Sequence, residues 1–308
     1  MYINLILIAT FSFFLSFILT KLMVYSRIAV AKPNNRSSHK QPIPTAGGFA
    51  ALLSFCCFVF LAQKFLELPP QWYIFSPTII SACLLGSVGL LDDIFCLPAV
   101  PRLFIQFSLS TWVVLVFNLE LNIVLPGNTV ISGGFAQLAA ILWIVGFVNL
   151  YNFMDGANGM ICLGTLTSCL VVIIAAPSLS LAFVAIGIAV SMIGFLPLNF
   201  PRARIFLGDS GSQSFGFLLA CLLLTAHNIQ PSRFSLYTMV LAFLPYLYDA
   251  GITTLVRLVK GENILKPHRE FIFHRLMHMG WDHYKISSLY MVILVICGIG
   301  VEFSSRTY

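Results

Sequence analysis

The amino-acid sequence predicts an all-α, polytopic integral membrane protein of about ten transmembrane helices, forming one membrane-embedded domain over residues 1–308. Three observations carry the fold class. Hydrophobic residues make up 59% of the chain and charged residues 9%, whereas a soluble domain carries roughly 25% charged residues. The apolar residues gather in runs of the length a bilayer requires, about 20 residues with a range of about 17–25. The basic residues between those runs are distributed unevenly.

The first run, 2–24, has no basic residues ahead of it and is too long for a signal-peptide core, so it reads as a retained span. Lys32-Pro33-Asn34-Asn35 breaks the chain before the second run, 45–63, and Pro69-Pro70 before the third, 74–91. The fourth run is 102–118. Pro126-Gly127-Asn128 separates it from the fifth, 135–152. The sixth and seventh, 159–176 and 179–197, divide at Ala176-Pro177-Ser178, and Asn199-Phe200-Pro201 closes the seventh. The last three are 211–226, 235–258 and 285–303. With ten spans the connections alternate. Fourteen Lys and Arg residues then fall on one side and three, Lys64, Arg233 and Arg306, on the other. The positive-inside bias makes the first side cytoplasmic and both termini periplasmic.

No internal repeat is visible, and the longest cytoplasmic segment, 259–284, is too short to fold alone. The eight cysteines lie mostly inside apolar runs without C-x-x-C spacing and read as buried small hydrophobes. The net charge of +6 follows the topology and does not mark a nucleic-acid surface.

Against this background five carboxylates stand out: Asp92, Asp93, Asp155, Asp209 and Asp249 lie within or at the end of apolar runs. An ionised carboxylate in hydrocarbon costs about 2.5–3.5 kcal/mol even on a lenient scale. The span count places all five on the cytoplasmic side. A one-sided acidic cluster in a charge-poor chain points to a divalent cation and a phosphorylated substrate at the membrane surface.

Each motif also has a structural reading. Asp92-Asp93 ends the third run, where acids oppose the helix dipole and call for a cation or a base; otherwise the pair is a solvated helix end. Asn149 and Asn152 share a helix face and lead into Asp155-Gly156-Ala157-Asn158-Gly159. The alternative for the amides is hydrogen bonding between spans. Gly208-Asp209-Ser210-Gly211-Ser212 precedes the eighth run and supplies a hard oxygen ligand and anion donors, or else an ordinary helix cap. The segment 257–278 holds His268, Arg269, His274 and Arg275, suited to phosphate, although topology alone explains several of its charges. Arg36 and His39 in the first cytoplasmic loop add donors for anions or lipid phosphate.

From Lys32 to Leu276 the chain resembles the polyprenyl-phosphate N-acetylhexosamine-1-phosphate transferases, glycosyltransferase family 4. The resemblance rests on PNNRSSH with Gly47-Gly48, GLLDD, NLYNFMDGANG, FLGDSGS followed by Gly216-Phe217, Asp249, and PHREFIFHRL, in this order. The R-S-S-H and P-H-R features look closest to the branch that initiates O-antigen or similar lipopolysaccharide-like surface glycans. Phe271, Thr45 and Ala31 depart from that branch, which carries a histidine, a basic residue and an acid there.

The resemblance implies transfer of a sugar 1-phosphate from a UDP-activated N-acetylated aminosugar to undecaprenyl phosphate, with release of UMP. It implies Mg²⁺, with Mn²⁺ as a substitute, bound by Asp209 and Asn152. Asp92, Asp93 and His268 are the implied catalytic residues. Asn149, Asp155, Asn158, Arg269, His274, Arg36 and His39 are the implied substrate-binding residues. The implied setting is the bacterial inner membrane with the active site facing the cytoplasm, in a chain that can act as a homodimer. Two alternatives stay open: the peptidoglycan-precursor translocase branch, whose histidine-rich loop carries consecutive histidines, and a secondary transporter. A transporter places its acids near the midplane between inverted halves.

Overall fold

The computed structural model describes every residue except 1, 34–40, 67–74, 125–129, 176–177, 264–268 and 307–308. Arg36, His39 and His268 therefore lie outside the described residues. Each of the ten apolar runs becomes helix. The first five are α1 (Tyr2–Ser26), α2 (Gly47–Phe65), α3 (Ser76–Phe95), α4 (Ala99–Phe117) and α5 (Gly134–Met154). Then come α6 (Met160–Ala175), α7 (Leu179–Asn199) and α8 (Gly208–Ile229). The chain ends with α9 (Leu236–Ala242), α10 (Leu244–Val259), α11 (Ile272–His278) and α12 (His283–Arg306).

Among the described residues, eight helices are long and apolar enough to cross a membrane, and nine if α9 and α10 count as one broken span. The sixth run, α6, has 16 residues; at 1.5 Å per residue that is about 24 Å, short of a hydrocarbon core of about 30 Å. The run expected to be one straight ninth span is bent by 87° between α9 and α10. Pro245 explains the break. It sits in the first turn of α10, where it needs no donor of its own but cannot continue a helix arriving from α9.

The core is α8. Every residue from Ser210 to Leu224 is buried; the stretch from Phe215 to Leu224 is apolar on all sides and must be surrounded by other helices. α2, α3 and α5 pack on it directly. The approach of α3 is set by Gly89, where any Cβ would fall 2.4 Å from the Asp209 carbonyl oxygen. On the other flank α1 lies on α2 and α7. There Ser16 Oγ donates to the Ser191 carbonyl at 2.6 Å and Ser54 Oγ to the Ser12 carbonyl at 2.7 Å. Small hydroxyl residues at such crossings let helices approach closely without stranding a donor in lipid.

Two short hairpins, absent from the sequence reading, lie between helices: β1 (Val30–Ala31) with β2 (Ile43–Pro44), and β3 (Ile123–Val124) with β4 (Val130–Ile131). The first brings the entry to α2 against the entry to α8. Phe206 N donates to the Pro44 carbonyl at 2.8 Å, and Gly47 N and Gly48 N donate to the carbonyls of Phe206 and Leu207 at 3.1 and 2.8 Å. The far end of α8 is pinned too. Asn228 exchanges hydrogen bonds with the Glu120 backbone at 2.9 and 3.0 Å, and His227 bridges Phe234 O and Asn122 N.

Candidate active site

The end of α3, the starts of α4 and α8 and the end of α5 meet at one point. Gly208-Asp209-Ser210 forms the first turn of α8 and is not a loop ahead of it. Gly208 makes this possible: its φ is +72°, and a Cβ there would lie 2.0 Å from the Thr45 carbonyl oxygen. The turn presents Asp209 to three donors at once. Asp209 Oδ2 accepts from Arg102 Nη1 at 2.8 Å, Asn152 Nδ2 at 3.1 Å and Gln213 Nε2 at 3.1 Å.

The adjacent aspartates of α3 point different ways, as a step of about 100° per residue requires. Asp92 Oδ2 is bound by the same Arg102 Nη1 that holds Asp209, and Asp92 Oδ1 accepts from Leu97 N at 2.6 Å. Asp93 instead caps α8: its carboxylate accepts from Asp209 N at 3.2 Å and Ser210 N at 3.5 Å. A carboxylate at a helix N-terminus both satisfies orphan donors and complements the positive end of the dipole.

A row of buried amides runs away from this centre. Gln213 Oε1 accepts from Gln106 Nε2 at 3.2 Å, and Gln106 Oε1 accepts from Asn149 Nδ2 at 2.7 Å. Gln106 and Gln213 are 3% and 0% exposed, so each must find partners inside the protein, and the row supplies them. Arg102 and Gln106 lie one helical turn apart on α4, facing Asp209 and Gln213 one turn apart on α8. None of Arg102, Gln106 and Gln213 was among the residues singled out in the sequence.

Asp155 closes α5, half-buried. Burial, and next the charge of Asp209, push its carboxyl up to about 7, while the Gly208 backbone N–H pulls the other way. The turn that follows is a packing platform. Gly156 lies under the Phe273 ring, where a Cβ would be 2.3 Å away, and Phe153 stacks on Phe271 at 6.1 Å. α11 and the residues leading into it therefore lie over the Asp155 turn. That segment carries Arg269, half-buried, and His274, whose ring lies 4.0 Å from that of Phe273.

Asn158 faces elsewhere. Its Nδ2 donates to the Pro201 carbonyl at 3.2 Å, and its own carbonyl accepts from Ser287 Oγ at 2.8 Å. Asp249 is fully buried and holds α11 in place, accepting from Ile272 N at 2.6 Å, Phe273 N at 3.3 Å and the Tyr290 hydroxyl at 2.7 Å. Of the five aspartates, it alone is given to a helix start away from Arg102.

Among the described residues no three acids, histidines or cysteines form a cage for a metal. Mg²⁺ does not need one, since it commonly takes one or two carboxylates and completes its shell with water and phosphate oxygens. The donors present fit that pattern: Asp92 Oδ2 and Asp209 Oδ2 converge closely enough to be gripped by a single guanidinium nitrogen, so these two oxygens could hold a small cation together.

Fold and site together define a polytopic membrane protein with a polar, acid-rich centre at one end of its helices. The family model for glycosyl transferase family 4 matches residues 75–227, which include Asp92, Asp93, Arg102, Asn152, Asp155 and Asp209. Over 304 residues the chain is 28% identical to the decaprenyl-phosphate N-acetylglucosaminephosphotransferase of Mycobacterium leprae (strain TN), covering 89% of this chain and 75% of the relative. It is 28% identical over 283 residues to the probable undecaprenyl-phosphate N-acetylglucosaminyl 1-phosphate transferase of Bacillus subtilis (strain 168), covering 90% and 75%. It is 29% identical over 266 residues to the undecaprenyl-phosphate alpha-N-acetylglucosaminyl 1-phosphate transferase of Thermotoga maritima, covering 86% and 78%. The chain belongs to the polyprenyl-phosphate hexosamine-1-phosphate transferase superfamily.

Proposed function

We propose that this protein transfers N-acetylated aminosugar 1-phosphate from its UDP donor to undecaprenyl phosphate at the cytoplasmic face of a bacterial inner membrane, as the initiating step of a surface glycan such as O-antigen. The observation that carries the reading is the convergence of Asp92 and Asp209 on one cationic nitrogen at the end of the spans. An oxygen of the lipid phosphate attacks the phosphorus that bears the sugar. The bond from that phosphorus to the bridging oxygen breaks, and UMP leaves with the electron pair.

Asp92 and Asp209 would hold the Mg²⁺ ion, and Asn152, whose side-chain amide lies against Asp209, would offer its oxygen as a further ligand. Bound there, Mg²⁺ supplies neutralisation of the donor pyrophosphate. Asp93, through the backbone of α8, keeps Asp209 aimed. Arg269 and His274, over the Asp155 turn, supply donors for the pyrophosphate, and His268, Arg36 and His39 belong to the same set of anion-binding side chains. Asp155 and Asn149 line the donor side, and Asn158 shapes it by fixing the turn.

All three relatives above are named for N-acetylglucosamine, so UDP-N-acetylglucosamine is the first donor to try. Purified protein with undecaprenyl phosphate, Mg²⁺ and a panel of UDP-aminosugars should release UMP in step with a lipid-linked diphosphate sugar. EDTA should stop the reaction. Absence of UMP release with every donor would overturn the reading.

A further inference from the structure

Arg102 is a basic residue at the cytoplasmic end of a span, so topology alone accounts for its presence. Its position does not follow from topology. One nitrogen of its guanidinium contacts both Asp92 Oδ2 and Asp209 Oδ2, the second at 2.8 Å. Those are the two oxygens assigned above to the cation, so a metal ion and this guanidinium cannot hold them together. The side chain is also 25% exposed, which leaves it open volume to move into. Its helix packs chiefly on α3 and α5. The arginine reaches across as a long arm.

One turn further along α4, Gln106 contacts Gln213 of α8 and Asn149 of α5. This buried rung can stay fixed while the outer rung opens. A guanidinium expelled from between two carboxylates carries a planar fork of donors suited to phosphate oxygens.

We propose that Arg102 is a displaceable counter-ion. It compensates Asp92 and Asp209 until a divalent cation takes them, and the cation's arrival releases the guanidinium to the phosphate groups of the substrate. The proposal rests on the cation assignment made above. It couples the two binding events: the anion grip forms only after the metal is in place.

The test uses Mn²⁺ alone, with the full chain in lipid nanodiscs and no substrate. Binding is followed by electron paramagnetic resonance for the wild type, Arg102→Gln and Arg102→Lys. Losing the competing charge-assisted contacts should tighten Mn²⁺ binding about tenfold or more in Arg102→Gln. Arg102→Lys decides between contact and field. It keeps the positive charge, but its nitrogen lies one bond nearer the backbone than the Nη1 that bridges the two carboxylates, so displacement requires it to bind Mn²⁺ several-fold tighter than wild type, whereas a purely long-range charge effect leaves it equal. Equality overturns the proposal and leaves the cation site standing. No Mn²⁺ binding by any of the three proteins removes the cation site and the proposal together.

A second measurement needs no variant. Phenylglyoxal modification of Arg102, read by mass spectrometry of its peptide, should be slow in EDTA and accelerate on adding Mn²⁺. An unchanged rate in protein that demonstrably binds Mn²⁺ would equally overturn displacement.

Discussion

Asp209 shares its charge among a guanidinium and two amides, all on one oxygen. The substitution Asp209→Asn keeps the shape of the side chain and removes that charge. Turnover should fall by about 100-fold or more, with folding and insertion retained; a near wild-type rate of UMP release at saturating Mg²⁺ would move the cation elsewhere. Arg269→Lys keeps a topology signal but loses the fork. It should lower catalytic efficiency about 10- to 150-fold, and wild-type kinetics would reduce Arg269 to a topology determinant. Asp249→Asn gives up one of the acceptors that start α11. It should lower stability by about 1–2 kcal/mol, seen as a lower unfolding midpoint in detergent; an unchanged midpoint would mean that α11 does not depend on this cap. The acids could be found in the sequence because each costs so much in an apolar run that it needs a reason. Arg102 could not, because the topology already gave it one. Gln106 and Gln213 left a fainter trace, uncharged amides one helical turn beyond Arg102 and Asp209. The separate destination of Asp249 depends on where α11 packs, which spacing along the chain does not fix.

At the scale of helices, the contact of α3 with α8 has no slack at Gly89, because the atom that an added methyl would meet is backbone. Gly89→Ala should therefore push the helices apart. The expected cost is about 1–3 kcal/mol, with a loss of activity as Asp92 and Asp93 withdraw from α8. Wild-type stability and wild-type activity together would show that the helices can separate there freely. Helix identity was legible throughout, since each apolar run became helix. Three departures have local causes. The ninth run turns at Phe243 because Pro245 cannot continue the helix, and α8 starts three residues early because Gly208 accepts a positive φ that opens its first turn. The hairpins escaped the sequence reading because strands of two residues have no periodicity to detect.

For the whole molecule, the basic asymmetry predicts that thiol probes placed at 36–40 and 262–270 in a cysteine-free background react only from the cytoplasm. Reaction at either stretch from outside intact cells would reverse the orientation and move the site to the other face. The arrangement of α8 within the bundle has a further consequence, for bilayer thickness. Helices in contact with lipid answer a thicker or thinner membrane by tilting. α8 is buried from Ser210 to Leu224 and anchored at both ends, so its neighbours insulate it from that adjustment. Asp209 thus rides on the part of the protein least able to sense acyl-chain length, while α4, mostly unburied by its neighbours, reaches the centre through the long side chains of Arg102 and Gln106. Flexible arms on the tilting helix and a fixed carboxylate on the insulated one would let the same site geometry persist in membranes of different thickness.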